Sequence, residues 1–296
     1  MSPMKRPWLV YGLAFLGGMV LFLILVSFFL TLLFFLLGER DLKGPKIGVL
    51  EVKGVILESS EYLKAIEELR EREDIKAIVV RIDSPGGSVG AVQEIFEELK
   101  VLRKTKPLIV SMGGVAASGG LYLALSGQKI FANPGTITGS IGVMIQLPNF
   151  EKLMEKIGIS AEVIKSGPYK DTGSAFRGLT SEERKYLQEK VELLHNQFVK
   201  AISEERKIPL EKVKAFANGK IYTGEEALKL GLIDGLGNFY RAVDEAKRLS
   251  GIKKAVLIFY PRKKGYLERF FEEKIPLKDI RLYDPLNLRA LYLYQP

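Results

Sequence analysis

From Pro7 to Gly38 the chain carries no charged residue, and Trp8 to Leu37 is a 30-residue run dominated by Leu, Phe, Val and Gly. A bilayer core needs about 20 apolar residues, so this run is long enough to span one with tilt or overhang. A secretory h-region is usually about 7–15 residues long. No small-x-small site precedes Glu39, so a cleaved signal peptide fits poorly. Lys5 and Arg6 stand before the run, and Glu39, Arg40 and Asp41 follow it. The positive-inside bias predicts a cytoplasmic N-terminus and places everything after residue 40 outside.

After a polar hinge containing Gly44 and Pro45 the pattern changes to alternating strand-like and helix-like segments. Ile47–Val55 reads as a strand. Ser59–Glu73 has helical spacing of Leu63, Ile66 and Leu69. Lys76–Ile82 and Pro107–Met112 are short, β-branched apolar runs, the mark of strands buried on both faces. Ser88–Arg103, Ser118–Ser126 and Phe150–Ile157 read as helices. Lys129–Ala132, Val143–Gln146 and Ala161–Lys165 read as short strands. Thr180–Lys207 is a long amphipathic helix, opened by Thr-Ser-Glu-Glu as an N-cap with an acidic first turn. Repeated strand–helix–strand units predict an α/β fold with a mostly parallel sheet. Such sheets bind ligands at the carboxyl ends of their strands, here the turns after Ile82 and Met112.

Charge and composition narrow the chemistry. The 296-residue chain has net charge +9, no cysteine and one histidine, His195. Thiol nucleophiles, disulfide scaffolds and Cys-ligated metals are excluded. A metal centre of several imidazoles cannot be built within one chain. Removing Lys5, Arg6, Arg40, Glu39 and Asp41 leaves 41 basic and 33 acidic residues, about +8, for the part after the apolar run. These charges are mostly interspersed, which reads as solvated helix faces and predicts no nucleic-acid partner. No metal site and no cofactor are expected.

Two glycine-rich turns occupy the expected strand ends. One is Asp83-Ser84-Pro85-Gly86-Gly87-Ser88; the other is Gly113-Gly114-Val115-Ala116-Ala117-Ser118-Gly119-Gly120. Glycines there let backbone N–H groups approach a ligand, and each turn leads into a helix. Together they can supply two donors to one oxyanion, as acyl transfer requires. The first turn does not match a phosphate-cradling loop. Ser118 at the second helix entry reads either as an N-cap or as a nucleophile. A nucleophilic serine needs a base. His195 lies inside the long helix beside Leu194 and Phe198 and reads as a structural residue. A lysine serves as a base when burial favours its neutral form. Lys170, in the loop Lys165-Ser166-Gly167-Pro168-Tyr169-Lys170-Asp171, is such a candidate, against the alternative of an exposed loop lysine.

These segments, with Thr138-Gly139-Ser140-Ile141-Gly142-Val143 and Gly219–Leu228 followed by Gly231-Leu232-Ile233-Asp234, stand in an order that resembles the signal peptide peptidase A family. These are Ser/Lys serine proteases of the ClpP/crotonase-like superfamily, and the resemblance is to their short, single-domain form. It covers roughly Lys46 to Gly251. The resemblance implies Ser118 as nucleophile and Lys170 as general base. It implies the N–H groups of Gly119 and of Gly87 (or Gly86) as the oxyanion hole, and Ser140 as the residue orienting Lys170. It implies Asp83 as a turn-holding residue. It also implies a homo-oligomer, a dome-shaped octamer in which Ser118 of one subunit meets Lys170 of its neighbour.

The expected organisation is a stub, membrane anchor and hinge over residues 1–43, a peptidase domain over 44–250, and an extension over 251–296. The extension is rich in Tyr and Leu and reads as a subunit contact, a tail occupying a neighbour's groove, or a core strand. The expected activity is endopeptidase cleavage of leftover signal peptides or similar apolar peptides near the bilayer, through an acyl-enzyme. Two alternatives stay open: a stomatin-partnered membrane protease of the same superfamily, and a non-catalytic scaffold with a protease-like fold.

Overall fold

The structure is a computed structural model that describes residues 7–37, 44–261 and, as backbone, 291–293. The chain divides into two units, residues 1–43 and 44–296. The first contains α1 (Pro7–Leu37), a continuous helix. Its Tyr11–Leu33 stretch is long and apolar enough to cross a membrane, with mean hydropathy 2.7 and none of it buried in the protein.

The second unit runs β1 (Lys46–Lys53), α2 (Ser60–Glu71), β2 (Ile75–Ser84), β3 (Gly86–Ser88), α3 (Val89–Arg103), β4 (Leu108–Ala116) and α4 (Gly119–Ala124). Then follow β5 (Lys129–Ala132), β6 (Ile137–Gly139), α5 (Glu151–Ile157), α6 (Ser181–Arg206), α7 (Leu210–Phe216), β7 (Ile221–Thr223), α8 (Gly224–Lys229), β8 (Gly235–Leu236), α9 (Phe239–Ser250), β9 (Val256–Tyr260) and β10 (Leu291–Leu293). The main sheet has the order β7-β6-β4-β2-β1-β9, with β5 on β4 and β8 on β5. All its pairings are parallel except β6 with β7. This is the α/β, repeated βαβ arrangement that the alternating segments predict.

The continuous apolar runs are explained by burial on both sheet faces. Leu50, Ile78, Val80, Ile82, Val110 and Met112 point to one side, where α2, α3 and α4 contribute Ile66, Val92, Ile95 and Leu121. Ile47, Val49, Ala77, Val79 and Ile109 point to the other, onto Ala242, Val243 and Ala246 of α9. Side chains alternate across a strand, so every position of β1, β2 and β4 needs an apolar partner. The long helix starts where the sequence predicts. Thr180 accepts a hydrogen bond from the Glu183 N–H, and the Glu183 carboxylate accepts one from the Thr180 N–H.

Two local expectations are corrected. Ala161–Lys165 is not a strand: its β-branched residues have no neighbouring strand, and Ile164 is 96% exposed. Val143–Gln146 is reduced to a single bridge residue. The strand that does form nearby is β6, and it carries the Thr-Gly pair that opens the predicted Ser140 motif.

Candidate active site

The site is built where β2 and β4 end. β4 pairs with β2 up to Ser84↔Ala116, so the two glycine-rich turns leave the sheet side by side. Asp83 fastens them: its Oδ1 accepts the Val115 N–H at 3.0 Å, and its carbonyl accepts the Gly54 N–H at 3.0 Å. That is the turn-holding role the resemblance implies. Ser84 reinforces the turn, with Oγ donating to the Gly54 carbonyl at 2.6 Å and accepting the Gly86 N–H at 3.1 Å.

Ser118 sits at the entry to α4 with φ 51° and ψ −115°, a conformation that a residue with a side chain adopts at a cost. It is 1% exposed. As an N-cap it would bond a helix N–H, but its side chain makes no capping bond. Among the described residues its Oγ has no hydrogen-bond partner at all. Buried hydroxyls are normally satisfied, so a strained, buried and unbonded one marks a place held for something else. The alternative reading of Ser118 as a capping serine is therefore removed.

The backbone around it explains the glycines. A Cβ on Gly119 would lie 3.1 Å from the Gly87 nitrogen and 3.1 Å from the Gly86 Cα. The two turns thus touch at the residues predicted to supply the oxyanion donors. A Cβ on Gly87 would lie 1.9 Å from the Ile56 carbonyl oxygen, so no other residue fits there without moving β3.

Ser140 is also brought in. Ser118 N–H donates to the carbonyl of Gly139 at 2.8 Å, and Ser140 follows with φ 50°, its N–H bonded to Lys220 O at 2.7 Å. Thr138 Oγ1, fully buried, donates to Ala116 O at 2.7 Å and ties this segment to the serine turn. The segments carrying Ser118, Gly119, Gly87 and Ser140 therefore converge.

Lys170 is not hydrogen-bonded to Ser118 within this chain. It lies exposed in the loop after Gly167, its N–H bonded to Gly167 O at 3.2 Å. His195 does not replace it: it lies within α6, and its Nε2 likewise has no partner among the described residues. Beside Lys170 sits a feature that the sequence reading passed over. Arg177 bonds Asp171 and both carboxylate oxygens of Glu183, and Lys165 Nζ bonds Asp171 at 2.6 Å. The guanidinium holds the Asp171 and Glu183 carboxyls well below the usual carboxylate range, Glu183 at about 2. Two acids, each six residues from one arginine, were the available signal.

No group of acidic or histidine side chains suited to a metal ion occurs among the described residues.

The family model described as Peptidase family S49 matches residues 100–253, which contain Ser118, Ser140 and Lys170. The chain belongs to peptidase family S49. A Synechocystis protein named as a candidate protease is 46% identical over 209 residues, covering 70% of this chain and 75% of its own. A candidate signal peptide peptidase of Enterococcus faecium is 33% identical, with 75% and 69% covered. Protease 4 of Salmonella typhi is 34% identical over 73% of this chain, but the match spans only 37% of that longer protein. S49 membership in the signal peptide peptidase A group makes the chain a peptidase.

Proposed function

We propose that this S49 peptidase is a serine endopeptidase, anchored in a membrane by α1, that degrades cleaved signal peptides or similar extended apolar peptides. The observation that carries the reading is Ser118: buried, strained and with an unbonded Oγ at the meeting point of two glycine turns.

In the proposed reaction Ser118 Oγ attacks a peptide carbonyl carbon while Lys170 takes the hydroxyl proton. The N–H groups of Gly87 and Gly119 bond the oxyanion, the charge that such donors stabilise most in the transition state. The C–N bond breaks, and Lys170 passes the proton to the departing amine. A water then gives its proton to Lys170 and attacks the acyl carbon. This releases the new carboxyl end and restores Ser118. Ser140 hydrogen-bonds Lys170 and sets its direction.

Within one chain Lys170 is not bonded to Ser118, so the same reading calls for a homo-oligomer, an octamer by resemblance, with the lysine supplied by a neighbour. The anchor keeps the site at the bilayer, which raises the local concentration of membrane peptides. The N-terminus is assigned to the cytoplasm and the peptidase domain to the outer side.

The deciding experiment is labelling of the full chain in detergent with a serine-directed fluorophosphonate, alongside hydrolysis of a fluorogenic apolar peptide. Wild type and His195→Ala label and hydrolyse. Ser118→Ala does neither, and Lys170→Ala loses hydrolysis. Labelling and hydrolysis retained in Ser118→Ala overturn the reading.

A further inference from the structure

The fold gathers cations that lie scattered along the sequence. β5, β4, β2, β1 and β9 are neighbours in that order and run parallel, so all five enter the sheet at one end. Neighbouring strands lie about 4.8 Å apart, so the five entrances span about 20 Å. The turns leading into them are basic: Arg72 and Lys76 at β2, Arg103, Lys104 and Lys106 at β4, Lys253 and Lys254 at β9. Lys46 opens β1, and Lys129 opens β5. The acids in the same turns are Glu73 and Asp74.

Part of this charge has a structural use. Lys46 Nζ and the Arg72 guanidinium both bond Asp74, at 2.8 and 2.7 Å. Arg103 pairs with Glu205, and Lys129 with Asp234. Lys106 Nζ donates to Leu69 O and Arg72 O, at 2.6 Å each, and so closes the end of α2. Lys76, Lys104, Lys253 and Lys254 have no such use. All four are exposed, and none has an ion-pair partner among the described residues. Apolar side chains stand with them: Val101, in the last turn of α3, is 40% exposed, and Leu249, in the last turn of α9, is 38% exposed. Lysines set around exposed aliphatic side chains suit a lipid interface, with ammonium groups at the phosphates and alkyl stems along the acyl boundary.

Chain connectivity names the occupant. Eight residues, 38–45, separate the end of the apolar run from Lys46. An extended chain advances at most about 3.6 Å per residue, so this tether cannot exceed about 30 Å. It enters the peptidase domain at the lysine-bearing end of the sheet. We infer that this end docks on an anionic bilayer surface, with Lys76, Lys104, Lys253 and Lys254 on the headgroup phosphates of acidic lipids. A lysine near such a surface strengthens association about fivefold, and the attraction fades within a Debye length. The inference rests on the membrane-anchor part of the reading above, not on Ser118. It adds a fixed face toward the headgroups and a preference for acidic lipid.

The chain has no cysteine, so Thr105→Cys, exposed between Lys104 and Lys106, carries a fluorophore at one defined place. The full chain is placed in nanodiscs of phosphatidylcholine alone, or of phosphatidylcholine and phosphatidylglycerol in equal parts, each with a spin-labelled headgroup as quencher. The probe is quenched in the anionic discs and not in the neutral ones, and about 1 M salt, where the Debye length is about 3 Å, restores its fluorescence. A probe at Val55→Cys, past the carboxyl end of β1, is unquenched in both. Joint Lys76→Gln, Lys104→Gln, Lys253→Gln and Lys254→Gln abolishes the quenching, while the protein in detergent keeps its thermal midpoint and its peptide hydrolysis. Should that variant fail to fold, Lys253→Gln with Lys254→Gln, both in one surface turn, shifts the loss of quenching to lower salt. Equal quenching in the two kinds of disc, quenching at Val55 in place of Thr105, or full quenching in the fourfold variant overturns the inference. Light scattering in detergent that shows the fourfold variant falling apart from a wild-type assembly would assign the face to a second copy and overturn it too. Should the chain not enter the discs, the anchor reading fails, and flotation of the chain with vesicles of the same two compositions still decides whether the basic face binds acidic lipid.

Discussion

Arg177 and Glu183 form a two-point ion pair, Nη1 to Oε2 at 2.8 Å and Nη2 to Oε1 at 2.6 Å. The rest of the guanidinium is equally engaged: Nε with Asp171 Oδ2 at 2.8 Å, Nη1 with Gly178 O at 3.0 Å and Nη2 with Asp171 O at 3.4 Å. Glu183 is the third residue of α6 and closes its capping box, whereas Asp171 is the residue after Lys170. One planar fork therefore fastens the Lys170 loop to the start of a rigid helix. Lysine cannot reproduce five directed donors. Arg177→Ala leaves Glu183, 3% exposed, without its cation and costs about 3 kcal/mol in chemical denaturation. Arg177→Lys recovers part of that stability, yet kcat stays low because the loop is no longer held. Wild-type kcat in Arg177→Lys would contradict the clamp.

The same clamp sets an acid limit. Arg177, then the Thr180 N–H and Thr172, hold the Glu183 carboxyl at about 2, below its ordinary value of 4.5. Asp171 is shifted the same way by Arg177 and Lys165. A carboxyl whose folded pKa is depressed takes up protons more readily when unfolded, so unfolding is favoured as pH falls. The contribution is complete above about pH 5 and is lost as pH falls from there through about 2. The midpoint of thermal unfolding should fall across that window in wild type and much less in Arg177→Ala. Parallel curves would remove the clamp as the cause.

How much of this was legible in the sequence depends on the range of the forces involved. β2 and β4 were readable because burial on both faces demands unbroken apolar runs, and the serine turn was readable because close backbone approach demands glycine. Ala161–Lys165 misled for the complementary reason: β-branched residues favour strands only where a neighbouring strand exists, and there is none beside Ile164. β6 was invisible because three residues, Ile-Thr-Gly, carry no period. The empty bonding sphere of Ser118 Oγ was out of reach, since a capping serine and an unbonded one share the same sequence context. The bonds that Arg177 makes depend on loop geometry, and spacing alone only hints at them.

Gly87 and Gly90 lie three residues apart and should respond in opposite ways. A methyl on Gly87 collides with Ile56 O at 1.9 Å, which forces β3 and its N–H away from Ser118. Loss of one oxyanion donor typically lowers kcat about 10²–10³-fold, and Gly87→Ala should fall at least that far. Gly90 is exposed in α3 with nothing within 4 Å of an added Cβ. Gly90→Ala should add about 0.5–1 kcal/mol of stability, by reducing the freedom of the unfolded chain, and leave activity unchanged. Steady-state kinetics and denaturation of both variants check the contrast; equal kinetics for the two would sink it.

The strip before the lysine loop carries apolar side chains that a solvated surface does not explain. α5 buries none of its residues. Leu153 is 54% exposed, Ile157 57%, Ile159 52%, Val163 51% and Ile164 96%. A patch of that kind marks a contact surface, and here it adjoins the loop whose lysine lacks its serine. If a second copy covers it and brings Lys170 to Ser118, two inactive variants should repair one another. Ser118→Ala chains retain Lys170, and Lys170→Ala chains retain Ser118. Mixed in equal amounts and reassembled in a closed ring, they should regain about a quarter of wild-type activity, since each working site needs one intact residue from each of two adjacent chains. Ile164→Asp should dissociate the assembly by light scattering and abolish hydrolysis together. Mixed variants that stay inactive while Ile164→Asp remains assembled would place Ser118 and Lys170 of one working site on the same chain.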